Sequence, residues 1–307
     1  MKLSPPQTLA DVAAIIGGKT LGDGSHLVSG INEIHRVEIG DLVFVDHPKY
    51  YEKALNSAAT TILINQEVAC PPGKALIFSE DPCRDFNTLL QHYCKPKQWP
   101  DTTIDFDHCY IHPSVVIGND VQLGKNCVLH PGVVLYDRVK LGDHCIVHAN
   151  TVIGSHAFYY KSRGNYRDKM YTAGGVRIGN HVEVGAGCTI DSGLTADTII
   201  GDHCKIDNHV HIGHDTVVGR NCLFAAQVGI AGCVEIEDDV ILWGQVGVPS
   251  DIHIGKGAVV LGQSGLTKDL EGGKTYFGSP AEEARHKYRE LALIRKLPEI
   301  TALLGKG

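Results

Sequence analysis

Ile200-Gly201-Asp202-His203-Cys204-Lys205-Ile206-Asp207-Asn208-His209-Val210-His211-Ile212-Gly213-His214-Asp215-Thr216-Val217-Val218 puts an aliphatic residue at every sixth position. The same register continues through Phe224, Ile230, Ile236, Leu242, Val248, Ile254 and Val260. Upstream, a second run carries Ile111, Ile117, Leu123, Leu129, Leu135, Leu141, Val147 and Ile153, and a third holds Ile178, Val184 and Ile190. Four places after the aliphatic residue sits a small or β-branched one, such as Val121, Cys127, Val139, Cys145, Cys188, Cys204 or Cys222. Neither helical periodicity nor simple alternation gives a period of six. The pattern predicts a mainly β chain, a left-handed parallel β-helix of hexapeptide repeats with three hexads in each triangular coil. The aliphatic side chain points inward and the small one fills beside it. Glycine often follows the aliphatic residue, as at Gly118, Gly201 and Gly213, and is expected to let the backbone turn the corner.

At 307 residues the chain exceeds what one core usually supports, so more than one domain is expected. A formal charge of −7 argues against general nucleic-acid binding. No apolar run follows Met1-Lys2-Leu3, so neither a signal peptide nor a membrane span is expected, and the location is read as cytoplasmic. Five of the ten cysteines fall in the small inward slot, which predicts free buried thiols rather than disulfides.

Three stretches follow from composition. Residues 1–105 read as an α/β domain, with Thr8 capping a helix over 9–16 that Gly17-Gly18 ends. Strands are expected at 42–45 and 61–64, with a helix over 50–58 between them. A linker with Pro96 and Pro100 occupies 95–107. The prism fills 106–270, and 271–307 form a C-terminal helical extension over 281–304 that Pro298 should break late. Two departures interrupt the hexads: an insertion over 159–176 rich in Tyr, Lys and Arg, and a bulge at 192–198. Loops projecting from a rigid scaffold commonly carry binding groups.

The densest candidate for chemistry is Asp207 to Asp215. His214 stands third in its hexad, at an edge that projects outward, and Asp215 could hold its imidazole in a basic tautomer. An outward histidine is weak evidence alone, since the chain has 17. His209 and His214 stand five apart, a spacing used by zinc-type carbonic anhydrases built on the same prism. Positions 173–178 supply no third histidine and His181 is out of register, so no metal is expected. No Walker loop, dinucleotide fingerprint or nucleophilic serine elbow is present.

Taken together, the leading α/β domain, the prism with Ile212-Gly213-His214-Asp215, and the helix after Gly278-Ser279-Pro280 resemble the UDP-3-O-(3-hydroxyacyl)glucosamine N-acyltransferases of lipid A biosynthesis. The likeness runs along nearly the whole chain. Phe44-Val45-Asp46-His47-Pro48-Lys49-Tyr50 is similar to that family's uridine-binding segment. The resemblance implies uracil stacked between Phe44 and Tyr50 with Lys49 near the nucleotide; a plain core role is the rival reading of Phe44. It also implies His214 as general base, Gly232 as oxyanion donor, and Asp207 and Asn208 in substrate binding. The implied reaction moves a 3-hydroxyacyl group from acyl carrier protein to the 2-amino group of a UDP-3-O-acylglucosamine, without metal or redox cofactor, in a homotrimer. Arg285, Lys287, Arg289, Arg295 and Lys296 would then be contacts for an acidic carrier, with a solvated face supporting trimerisation as the rival reading. The chain departs from the family pattern at Gly154-Ser155-His156-Ala157-Phe158-Tyr159, at His47, and at Asp251, where a second histidine is usual. Rival readings are a UDP-amino-sugar acetyltransferase using acetyl-CoA and a noncatalytic binding scaffold.

Overall fold

The computed structural model describes residues 1–95, 97–100 and 108–304. Most of the expected linker, including Pro96, therefore lies outside the described residues. Among them, no helix is long and apolar enough to cross a membrane. The compact units interleave along the chain, unlike the three consecutive stretches that composition suggests. One unit comprises Met1–Gln98, His156–Gly175 and Ser192–Asp197; the other comprises Trp99–Ser155, Val176–Asp191 and Thr198–Gly307. The long insertion and the bulge thus group with the N-terminal residues.

In the first unit a six-stranded sheet runs in the order 2–8, 27–31, 41–45, 61–64, 75–78, 19–21. Its inner strands pair in parallel and both edge strands are antiparallel. Helix α1 (Leu9–Ile16) starts where Thr8 Oγ1 accepts the Asp11 N–H and ends at Gly17, whose φ of 66° suits glycine. The helix expected over 50–58 is shorter: a 3-10 turn (Pro48–Tyr50) leads into α2 (Tyr51–Leu55). Ser57 stops it by donating to the Ala54 carbonyl. Helix α3 (Pro82–Tyr93), capped by Asp81 with Pro82 at its first position, packs Phe86, Leu89 and Leu90 into the core. The insertion forms an antiparallel hairpin, Tyr160–Ser162 with Arg167–Lys169.

The second unit is the parallel β-helix the hexads predict. Its first face runs from Tyr110–Ile111 up to Val259–Val260, the second from Val116–Ile117 to Gly247–Val248, and the third from Gln122–Leu123 to His253–Ile254. Successive coils stack 18 residues apart, as Val128 on Ile146 and Phe224 on Leu242 show. The aliphatic positions fill the interior; Leu129, Leu135, Ile190, Ile212, Ile230 and Ile254 are fully buried. Cys127, Cys145, Cys188, Cys204 and Cys222 are free and buried, as expected, and each thiol reaches a backbone carbonyl of the neighbouring coil.

The corners correct one expectation. The residue that turns the chain is three places after the aliphatic one and is usually not glycine: His203, His209 and Asp215 have φ of 63°, 59° and 58°. Glycine directly after the aliphatic residue serves close approach instead. A Cβ on Gly201 would fall 2.5 Å from the Gly219 carbonyl oxygen, and one on Gly124 2.5 Å from the carbonyl carbon of Gly142. The same corners explain many of the histidines. His144, His181 and His203 stack as near-parallel rings with centroids 4.8 and 5.0 Å apart.

After the last coil, Thr275–Phe277 pairs antiparallel with Glu282–Glu283 before α4 (Ala284–Leu304). Pro298 lies inside this helix rather than ending it. The helix is exposed there, so a carbonyl that loses its partner one turn earlier can be hydrated.

Candidate functional site

His214 belongs to the corner between the second and third faces. Ile212 anchors the coil by pointing inward, and the left-handed turn at Asp215 carries the imidazole outside the apolar core. The side chain is nonetheless only 10% exposed, so it is far more enclosed than an edge position suggests. Nδ1 of His214 lies 2.9 Å from Oδ2 of Asp215. Asp215 is itself buried, and its N–H donates to Thr198 Oγ1 at 2.9 Å. A neutral imidazole donating from Nδ1 to this carboxylate leaves Nε2 as the basic nitrogen.

One coil above lies Gly232. A Cβ there would come within 2.5 Å of His214 Nε2, so only glycine fits against this ring. At six other corners the amide two residues after the aliphatic position is taken by a side chain from the next coil. Asp137 accepts from Asn119, Asp143 from Lys125, Asn180 from Asp143, Asp202 from Asn180, Asn208 from Ala186 and Asp238 from Arg220. The residue above Gly232 is Ser250, and the Gly232 N–H meets no acceptor among the described residues. A basic nitrogen and an unengaged amide donor therefore sit together at one edge, which suits proton abstraction beside a developing oxyanion.

Asp207 and Asn208 are not at that edge. They occupy the preceding corner, between the first and second faces, where Asn208 Oδ1 accepts the Ala186 N–H at 2.7 Å. Both line a cleft of about 640 Å³. Its apolar wall includes Leu223, Phe224 and Trp243; the polar wall is an ion-paired set in which His148 Nε2 lies 3.0 Å and Lys205 Nζ 3.6 Å from the Glu183 carboxylate. Within one chain the predicted residues of the prism thus divide between two successive corners. His148, Glu183, Lys205 and Trp243 were missed from the sequence. Counting 18 residues per coil aligns Leu223 with Lys205 and Trp243 with Ala225, but the insertion hides the register of His148 and Glu183.

On the second face, His211 adds another imidazole. Its Nδ1 meets Thr189 Oγ1 at 2.8 Å and its Nε2 lies 3.9 Å from the mostly buried Asp191 carboxylate. Asp191 also accepts from Ser155.

The remaining candidates lie in the first unit. Phe44 is half-buried, with its ring centroid 4.7 Å from that of Phe86 at a tilt of 46°, so it serves the core while keeping some open surface. Tyr50 is exposed, with Lys49 Nζ 5.3 Å from its ring centroid and the His47 ring 6.0 Å away. Asp46, directly before His47, accepts from Lys161 of the insertion hairpin. That pairing had no signal in the sequence, because 115 residues separate its members.

Comparison with known proteins gives consistent matches for both units. Residues 25–92 match the family described as UDP-3-O-(3-hydroxymyristoyl) glucosamine N-acyltransferase. Residues 106–136, 120–155 and 197–232 match the bacterial transferase hexapeptide repeats. The UDP-3-O-acylglucosamine N-acyltransferase of Dechloromonas aromatica is 38% identical over 235 residues, covering 67% of each chain. UDP-3-O-acylglucosamine N-acyltransferase 1 of Legionella pneumophila is 40% identical over 235 residues, again covering 67% of each. Among solved structures, the UDP-N-acetylglucosamine O-acyltransferase of Moraxella catarrhalis aligns with a TM-score of 0.48 and 26% identity, over 58% of this chain and 77% of that one.

Proposed function

The chain belongs to the UDP-3-O-acylglucosamine N-acyltransferase family, and from that membership we propose that it transfers a 3-hydroxyacyl group from acyl carrier protein to the 2-amino group of a UDP-3-O-acylglucosamine. The observation that carries this reading is the meeting of His214, Asp215 and Gly232 at one prism edge.

In the proposed reaction, Nε2 of His214 takes a proton from the attacking amine while Asp215 accepts the Nδ1 hydrogen and stabilises the imidazolium that forms. The amine nitrogen bonds to the thioester carbonyl carbon. Negative charge gathers on the carbonyl oxygen, where the Gly232 N–H donates; one such donor supplies about 3–4 kcal/mol in favourable cases. Collapse breaks the carbon–sulfur bond, and the His214 imidazolium returns its proton to the leaving thiolate. The product is the amide, and the carrier leaves as a thiol. No step needs a metal or redox cofactor. Phe44 and Tyr50 hold the uracil, with Lys49 beside the nucleotide, so binding energy gathered far from the reacting atoms orients the sugar.

The assembly in this reading is a homotrimer, which suits the separation of the two prism sites. One corner carries the base, and the next carries Asp207, Asn208 and the cleft. A closed ring of three prisms sets the first corner of one copy against the second corner of its neighbour. The carrier docks on Arg285, Lys287, Arg289, Arg295 and Lys296, and a cytoplasmic location suits these co-substrates.

The test is donor competition with purified protein: 3-hydroxyacyl carrier protein against acetyl-CoA, with one UDP-amino sugar as acceptor. Amide product from the carrier thioester, lost in His214→Ala, supports the reading. Acetylation alone makes the protein a UDP-amino-sugar acetyltransferase. Nucleotide-sugar binding without turnover from either donor makes it a noncatalytic scaffold.

A further inference from the structure

We infer that the Asp46–Lys161 pair reads the hydrogen-bonding edge of the uracil base. This inference rests on the uridine reading of the first unit and adds to it the groups that would tell uracil from other flat bases.

Asp46 follows the strand Asp41–Val45 directly, and strand alternation puts it on the same face as Phe44. The opposite face of that strand, with Val43 and Val45, belongs to a separate apolar cluster. Lys161 comes from the insertion hairpin and donates to Asp46 Oδ2. The two side chains are 25% and 31% exposed, so the pair is enclosed yet open on one side. Its position is fixed by contacts elsewhere in the insertion. Arg163 bridges Asp81 at 2.7 Å and Asp168 at 3.2 Å, the Tyr171 N–H donates to Asn87 at 2.6 Å, and the Tyr171 hydroxyl donates to the Cys94 carbonyl at 2.7 Å. Lys161 is thus not needed to hold the hairpin in place. A lysine brought from 115 residues away to a carboxylate on the strand face that carries Phe44 has a different use.

That use follows from the chemistry of the base. Uracil presents a donor, N3–H, next to an acceptor, the 4-carbonyl. The pair presents the complement in adjacent positions: a carboxylate that accepts from N3–H and an ammonium that donates to O4. Cytosine reverses both groups, placing a lone pair against the carboxylate and an amino group against the ammonium. Aromatic stacking alone tolerates either base, so the discrimination has to come from an edge contact of this kind.

The test measures equilibrium binding of UDP, CDP and N3-methyl-UDP to the full chain and to Asp46→Ala, Lys161→Met and Phe44→Ala, each checked for native circular dichroism. We expect the unsubstituted protein to prefer UDP over both analogues by about tenfold or more, as for a hydrogen bond to a charged group. Asp46→Ala should bind UDP and N3-methyl-UDP equally. Lys161→Met should weaken UDP but keep the N3-methyl discrimination, an outcome that loss of hairpin order alone does not produce. Equal binding of all three nucleotides to the unsubstituted protein, or discrimination that survives in Asp46→Ala, overturns the edge reading while leaving the stacking site intact. Absence of UDP binding to the unsubstituted protein overturns the uridine reading itself, and this inference with it.

Discussion

The imidazole of His214 occupies the space where a side chain at Gly232 would begin: a Cβ there would lie 2.5 Å from Nε2. The two residues stand 18 apart in sequence and one coil apart in space, so the stacking register joins the proposed base to the proposed oxyanion donor. A substitution at either should therefore disturb both. Gly232→Ala is expected to push the ring away and crowd the place of the carbonyl oxygen. We predict a fall in kcat of about 10²–10³, close to that of His214→Ala. The double variant should be little worse than either single one, because residues acting as a unit are not additive. Full multiplicative loss in steady-state kinetics would separate the two roles.

Asp215→Asn tests the orienting carboxylate without disturbing the turn. Asparagine tolerates the left-handed φ of 58° that Asp215 adopts, so thermal stability should change little. The amide cannot carry negative charge, and it supports a different imidazole tautomer. Turnover should drop by at least about tenfold while the substrate KM stays nearly constant. Asp215→Ala should instead lose both activity and about 1–2 kcal/mol of stability, because alanine lacks the short polar side chain whose local hydrogen bonds let Asp and Asn adopt that conformation.

The uridine reading predicts that Phe44→Ala weakens UDP-sugar binding, but with a complication visible only in three dimensions. Phe44 also packs on Phe86, which is fully buried in the core. The substitution should lower the melting temperature as well as affinity, whereas Tyr50→Ala, at an exposed ring, should lower affinity alone. Calorimetric titration beside thermal unfolding separates these effects. Unchanged affinity in both variants removes the stacking site.

These cases show what the sequence carried and what it withheld. The hexads made the prism legible because burial repeats with the coil, and the pattern needs no long-range information. That register also brings His214, Asp215 and Gly232 together, although Gly232 was singled out only through the family resemblance. Glycine after the aliphatic residue was misread: its role, closeness to the next coil, belongs to packing and not to local dihedral preference. Helix α3 was overlooked although Asp81-Pro82 is a sound start signal, because its apolar positions are few. The His148–Glu183 wall of the cleft and the Asp46–Lys161 pair could not be read at all. They join residues across an insertion whose length the hexad count cannot absorb.

Carrier docking through the C-terminal helix predicts a charge-reversal effect confined to the protein donor. Arg289, Arg295 and Lys296 are all exposed on α4, while Lys287 pairs with Glu290 at 2.9 Å. Arg289→Glu with Arg295→Glu should raise the KM for acyl carrier protein and make it less sensitive to salt, since screened attraction is what has been removed. The KM for the UDP-sugar should not move. Equal kinetics for the variant and the parent would leave the helix without a donor role.

Buried thiols make a prediction about alkaline pH that needs no substrate. Burial pushes the Cys83 thiol up to about 11, and it raises Cys188 above the usual thiol range as well. In the unfolded chain both ionise near the ordinary cysteine value of about 8.5. Between those values the folded state binds more protons than the unfolded one. Stability contributed by these thiols is therefore present below the unfolded pKa and is lost as pH rises from there toward the folded pKa. The urea midpoint should fall between about pH 8.5 and 11, and Cys83→Ala should flatten the decline, since alanine has no proton to lose. The same burial governs reactivity, because the thiolate is the nucleophile. At pH 8 a thiol reagent should rapidly label the half-buried Cys70, Cys94, Cys109 and Cys233 at most, and all ten cysteines only in denaturant. Fast labelling of Cys127 or Cys204 in the native protein, located by peptide mass spectrometry, would mean that the coils open on the timescale of the experiment. The prism would then be too mobile to hold His214 over Gly232.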